Sequence, residues 1–66
     1  MKNSLKVERA IKNITQEELA REIGVTRQAI NSIELGKYVP STVLALKLSK
    51  FFGKSVNDLF SLEEGD

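Results

Sequence analysis

Arg27, Gln28, Asn31 and Ser32 gather a guanidinium, two carboxamides and a hydroxyl within a short stretch of chain that reads as one helix. At about 100° per residue, Gln28 and Ser32 point directly away from the apolar stripe of Ile30 and Ile33. Asn31 and Leu35 lie beside them, and Arg27 sits at the edge. A carboxamide pairs bidentately with N6 and N7 of adenine, and a guanidinium with O6 and N7 of guanine, in a major groove wide enough to admit a helix. The alternative is an ordinary solvated polar face, and one glutamine or asparagine alone would not displace it.

The elements that would hold this face in place favour the first use. Gln16 to Leu35 reads QEELAREIGVTRQAINSIEL. Leu19, Ala20 and Ile23 fall at helical spacing, which predicts a helix from Gln16 to Ile23 with Glu17, Glu18, Arg21 and Glu22 exposed. Thr15 is its expected cap, Glu18 can reach back in a capping box, and acidic Glu17 and Glu18 suit the positive end of the helix dipole. Gly24 follows where a left-handed residue is needed to end a helix. Val25 plugs the turn, and Thr26 caps a second helix, Arg27 to Leu35, that buries Ile30 and Ile33 with Ala29 at its flank. Small Ala20 lets the two helices cross closely. A turn-linked pair of this kind holds one helix at a fixed angle, as a nucleic-acid reading head requires.

The segment TQEELAREIGVTRQAINSIELGKYVPS closely resembles the helix-turn-helix of the Cro/C1-type repressor family, also called the xenobiotic response element family. The likeness runs from about Leu5 to Phe60. It implies an all-α, five-helix, lambda-repressor-like domain with the motif at helices 2 and 3. A single domain would then cover residues 1–66, as a compact stand-alone member without an effector domain. It also implies a sequence-specific regulator of transcription that binds double-stranded DNA, a repressor acting as a homodimer on a palindromic operator.

By the same resemblance, Arg27 and Gln28 match the leading base-contacting positions, and Asn31 and Ser32 the next ones. Gln16 matches a glutamine that anchors a phosphate and braces the first recognition side chain. Thr26 matches a cap that touches phosphate, and Lys37 a basic phosphate contact in the following loop. Tyr38 either stacks on the backbone or covers the core. Arg9 and Glu34 match an arginine–glutamate pair that fixes helix orientation, a structural role rather than a DNA contact.

The remaining sequence supplies three more helices. Asn3 or Ser4 can cap a helix from about Leu5 to Lys12, and Asn13 with Ile14 connects it to Thr15. Pro40 and Ser41 open another from Thr42 to Phe52. Leu44, Leu48 and Phe51 form its stripe, widened by Val43, Leu46 and Phe52, and Gly53 ends it. Ser55 caps a short helix, Val56 to Phe60.

Composition narrows the classes. The chain has neither cysteine nor histidine, so disulfides and ligation of a metal by those side chains are excluded, and a reducing cytoplasmic setting is expected. Glu17, Glu18 and Glu22 read as a solvated helix face, so no enzyme activity is expected, nor any cofactor or small-molecule ligand. The run Val43 to Leu46 is far below the roughly 20 residues of a spanning helix, so no membrane partner is expected. The net charge of +1 looks too small for a DNA-binding protein. Its distribution answers this: residues 1–54 hold ten bases and five acids, a balance of +5, and the last twelve hold four acids and no base, −4. A basic reading head with an acidic far end would orient the protein on a polyanion, against the alternative of a mixed surface.

One helix reads few base pairs, so two copies on half-sites roughly 34 Å apart are expected. Leu59, Phe60 and Leu62 are the candidates for a two-fold contact away from the DNA, although Leu59 and Phe60 also suit the monomer core. Compact relatives pair their chain ends as short strands, and the polar MKNS and SLEEGD ends argue against that here. A protein-interaction module such as an antitoxin is the alternative function, although the residues beyond Phe60 scarcely provide a neutralising tail.

Overall fold

The computed structural model describes Met1–Asp66, and its helices form where caps and apolar spacing coincide. They are α1 (Leu5–Lys12), α2 (Gln16–Ile23), α3 (Arg27–Glu34), α4 (Thr42–Phe52) and α5 (Val56–Leu59). Thr15 Oγ1 accepts from Glu18 N–H while the Glu18 carboxylate accepts from Thr15 N–H, both at 3.0 Å, completing the expected capping box. Thr26, Ser41 and Ser55 cap α3, α4 and α5 in the same side-chain manner, accepting from Ala29, Leu44 and Asp58. Gly24 ends α2 at φ 85°, the left-handed turn anticipated for it. Asn13 does the same for α1 at φ 57°, a role asparagine tolerates better than other residues with a side chain.

Eleven buried side chains make one core. Leu19, Ala20 and Ile23 of α2 meet Ile30 and Ile33 of α3, with Leu5, Leu44, Leu48, Phe52, Leu59 and Phe60 contributed from the other elements. Val25 and Ile14 pack against its edge. On α4 the buried positions are Leu44, Leu48 and Phe52. Phe51, expected in the stripe, is half-buried: it packs edge-to-face on Phe52 and lies under Lys12 Nζ, 5.4 Å from its ring centre. Val43 and Leu46, expected to widen the stripe, are exposed, because the helix presents its other face to α2 and α5.

Two expectations for the chain ends are overturned. Lys2–Asn3 (β1) pairs antiparallel with Phe60–Ser61 (β2), Lys2 opposite Ser61 and Asn3 opposite Phe60. The ladder is made by backbone groups, so polar side chains do not prevent it, and alternation sends Phe60 inward and Ser61 outward. Helix α5 accordingly stops at Leu59, one residue short of the expected Phe60. Leu59 and Phe60 are 1% and 6% exposed and close the monomer core, so neither is free for a two-fold contact; Leu62 alone of the three is exposed.

Asn3 ties this clasp to α3. Its Nδ2 donates to the Ile33 carbonyl at 2.7 Å, and its Oδ1 accepts from Leu5 N–H at 3.2 Å, so Asn3 rather than Ser4 supplies the side-chain bond that opens α1. The acidic tail also folds back. The Met1 ammonium lies 3.0 Å from Glu63 and 3.2 Å from Asp66, and Glu63 borders the same surface hollow as Leu35 and Gly36. Glu63 therefore sits beside the end of α3, and the Met1 ammonium ties Asp66 to it.

Hydrogen bonds from Thr15, backbone first and side chain second, hold the Glu18 carboxyl below its ordinary pKa. A lowered folded-state pKa means that unfolding in acid takes up a proton here. The Glu18 contribution is complete above pH about 4.5 and is lost as pH falls through the lower folded value. Thermal melts of Glu18→Ala and the wild type should accordingly differ most above pH 5 and converge in stronger acid.

Candidate nucleic-acid interface

Helix α3 is positioned by a pair of charges. Arg9 Nε and Nη2 donate to Glu34 Oε2 and Oε1 at 2.7 and 3.0 Å, a bidentate fork, and Nη1 donates to the Ile14 carbonyl at 3.0 Å. The side chains are 15% and 5% exposed. The hydrogen bonds to Glu34 raise the Arg9 pKa against the opposing effect of burial, so the guanidinium stays charged. One arginine thus ties α1, the α1–α2 turn and the last turn of α3 together.

Gln16, the first residue of α2, joins the same network. Its Nε2 donates to Glu34 Oε1 at 3.2 Å and to Asn31 Oδ1 at 3.0 Å. The resemblance implied that it would brace the first recognition side chain; here the braced residue is Asn31, one turn further along. With both amide hydrogens engaged, the Gln16 side chain has no donor left for a phosphate. With the Glu18 N–H capped by Thr15, the backbone N–H groups of Gln16 and Glu17, which have no acceptor within the helix, are the donors that remain there.

The outward surface of α3 is continuous. Gln16, Arg27, Gln28 and Asn31 line one shallow hollow, and Thr26, Gln28, Ala29, Ser32, Lys37 and Tyr38 line the next. Gln28 belongs to both, so the eight side chains singled out for DNA contact share one face. Arg27, Gln28 and Asn31 are exposed and Ser32 is half-buried. Tyr38 is 50% exposed and lies outside the core, which removes the core-covering role considered for it. Lys37 is held just past α3 by its backbone N–H, which donates to the Ser32 carbonyl at 2.9 Å.

A family model described as helix-turn-helix matches residues 5–59, spanning α1 to α5. The chain belongs to the Cro/C1-type helix-turn-helix family of DNA-binding regulators. An uncharacterized HTH-type transcriptional regulator of Methanocaldococcus jannaschii is 53% identical over the full length of both chains. The uncharacterized HTH-type transcriptional regulator YgzD of Bacillus subtilis is 50% identical over 97% of each. The HTH-type transcriptional activator BcrR of Enterococcus faecalis is 43% identical over 80% of this chain, which corresponds to 26% of BcrR. No helix of this family member is long and apolar enough to cross a membrane.

Asn3 and the Ile14 carbonyl are the supporting groups that sequence reading missed. Asparagine near a helix start signals a cap and nothing more, and a backbone acceptor leaves no trace in side-chain identity.

Replacing Glu34 by alanine strands the Arg9 guanidinium and frees Gln16. Losing one partner of a buried pair costs about 3–5 kcal/mol, and the surviving Ile14 contact and partial exposure of Arg9 place the loss at the low end, about 3 kcal/mol. Thermal unfolding of Glu34→Ala should fall by roughly 10 °C or more; a wild-type midpoint would refute the structural role.

Proposed function

We propose that the protein is a transcriptional repressor that binds a palindromic operator as a homodimer, laying α3 of each copy into successive major grooves and denying the site to RNA polymerase. The observation that carries this reading is the continuous polar face around Gln28, on a helix whose orientation is held by Arg9 and Glu34. Arg27, Gln28, Asn31 and Ser32 contact base edges in this reading. Thr26, Lys37, Tyr38 and the first-turn amides at Gln16 grip the sugar-phosphate backbone. Phosphate contacts supply affinity without sequence information, and base contacts supply discrimination.

The two classes of residue separate by measurement. Gln28→Ala should relax preference at one position of each half-site by about 1–3 kcal/mol while leaving random-duplex binding intact. Lys37→Ala should weaken all duplexes alike and make the dependence of log K on log salt shallower by about 1 per subunit. Equal losses on operator and random duplex for Gln28→Ala, read by titration at several salt concentrations, would remove its base-reading role.

Two copies are supported by the need for a longer site than one helix can read. With Leu59 and Phe60 in the core, the contact passes to Leu62 and to a hollow whose exposed walls are Val39 and Leu46 and whose floor includes Phe60. Leu46→Glu should shift sedimentation toward the monomer without lowering helix content; an unchanged sedimentation profile would place the contact elsewhere.

A further inference from the structure

Gln28 divides the outward surface of α3 into two hollows. On the side of α2 it is joined by Gln16, Arg27 and Asn31, and on the side of the loop after α3 by Thr26, Ala29, Ser32, Lys37 and Tyr38. Within the second hollow Ala29 stands apart. The sequence placed it at the flank of the buried stripe, yet it is only half-buried, and it belongs neither to the core nor to the apolar side chains packed against the core. Its methyl group has no rotamer freedom, and its backbone is fixed by the N–H that donates to Thr26 Oγ1 at 3.1 Å. The hollow therefore holds an apolar group at a set place between base-facing Gln28 and Ser32 on one side and backbone-gripping Lys37 and Tyr38 on the other. A group at that boundary meets DNA where the major-groove edge of a base adjoins its own strand. For a pyrimidine this is C5, which carries a methyl group in thymine and a hydrogen in cytosine.

We propose that Ala29 is a specificity-determining residue whose methyl group packs on the C5-methyl of one thymine in each half-site. Arg27, Gln28, Asn31 and Ser32 recognise donors and acceptors, and an apolar contact is what detects a methyl group. Tyr38, half exposed, supplies the second apolar wall of the hollow from the loop side. The contact sees the methyl group and not the pairing edge of the base, so 5-methylcytosine satisfies it as thymine does. Methylation of a cytosine at that position therefore tightens binding. This inference rests on the DNA-facing reading of α3.

The test is selection of bound duplexes from a random library, followed by replacement of each thymine of the enriched half-site with deoxyuridine, which removes the methyl group alone. At one position the wild type should lose about fourfold in affinity, the worth of one buried methyl group. In Ala29→Gly thymine and uracil should bind within about 1.5-fold of each other at that position. A merely structural effect of glycine on α3 lowers affinity for both duplexes and leaves their ratio unchanged. The wild type should also bind 5-methylcytosine about fourfold more tightly than cytosine there, which keeps the inference testable even if Ala29→Gly does not fold. No uracil-sensitive thymine, no gain from 5-methylcytosine, or a uracil effect that survives Ala29→Gly overturns the methyl contact while leaving DNA binding in place. A wild type that enriches no motif overturns the DNA-facing reading itself, and the contact with it.

Discussion

The bidentate pair between Arg9 and Glu34 is the constraint on which the reading surface depends. A helix of eight residues has little capacity to hold its own orientation, and α3 buries only Ile30 and Ile33. Two apolar contacts fix how deeply it sits but leave rotation about its axis weakly specified. The fork to Arg9 removes that freedom, because planar donors and planar acceptors align in only one way. The charge pair is not by itself a strong source of stability, since removing two charges from water offsets much of their attraction. What it contributes is direction.

That direction is then propagated. Gln16 connects the pair to Asn31, and Asn3 binds the carbonyl of Ile33, so the last turn of α3 is held by groups from the start of α2 and from the first strand. In a chain of this length the apolar core is small and contributes only a marginal surplus over the entropy of ordering the chain. Side-chain caps on four helices and a backbone clasp between the two ends supplement it. They act where a small domain is weakest, at helix termini and chain ends that otherwise fray.

The helices were legible because their signals are local. Thr15, Gly24, Thr26, Ser41 and Gly53 mark starts and stops by their own chemistry, and spacing of apolar residues identifies the buried face of α2 and α3 within a residue or two. Helix α4 was harder. Its run of Val43, Leu44, Ala45, Leu46 and Leu48 is apolar nearly all round, so spacing alone did not distinguish Phe51 from Phe52 as the inward ring. The short strands were missed for a different reason: their pairing is made by backbone atoms, and side-chain polarity at the ends says nothing about it.

The sequence by itself determined the helix-turn-helix, the polar character of its outward face, and the residues that compose that face, because each depends on neighbours within one or two turns. Only the tertiary structure decided that Leu59 and Phe60 close the core, that Glu63 of the acidic tail returns to the end of α3, and that Gln16 braces Asn31 rather than the leading recognition residue. Those outcomes depend on distances between groups far apart in the chain. The direction of a hydrogen bond from Gln16 to Asn31 is set by Arg9 and Glu34, which lie in two different helices, and that relation exists only once the helices have packed.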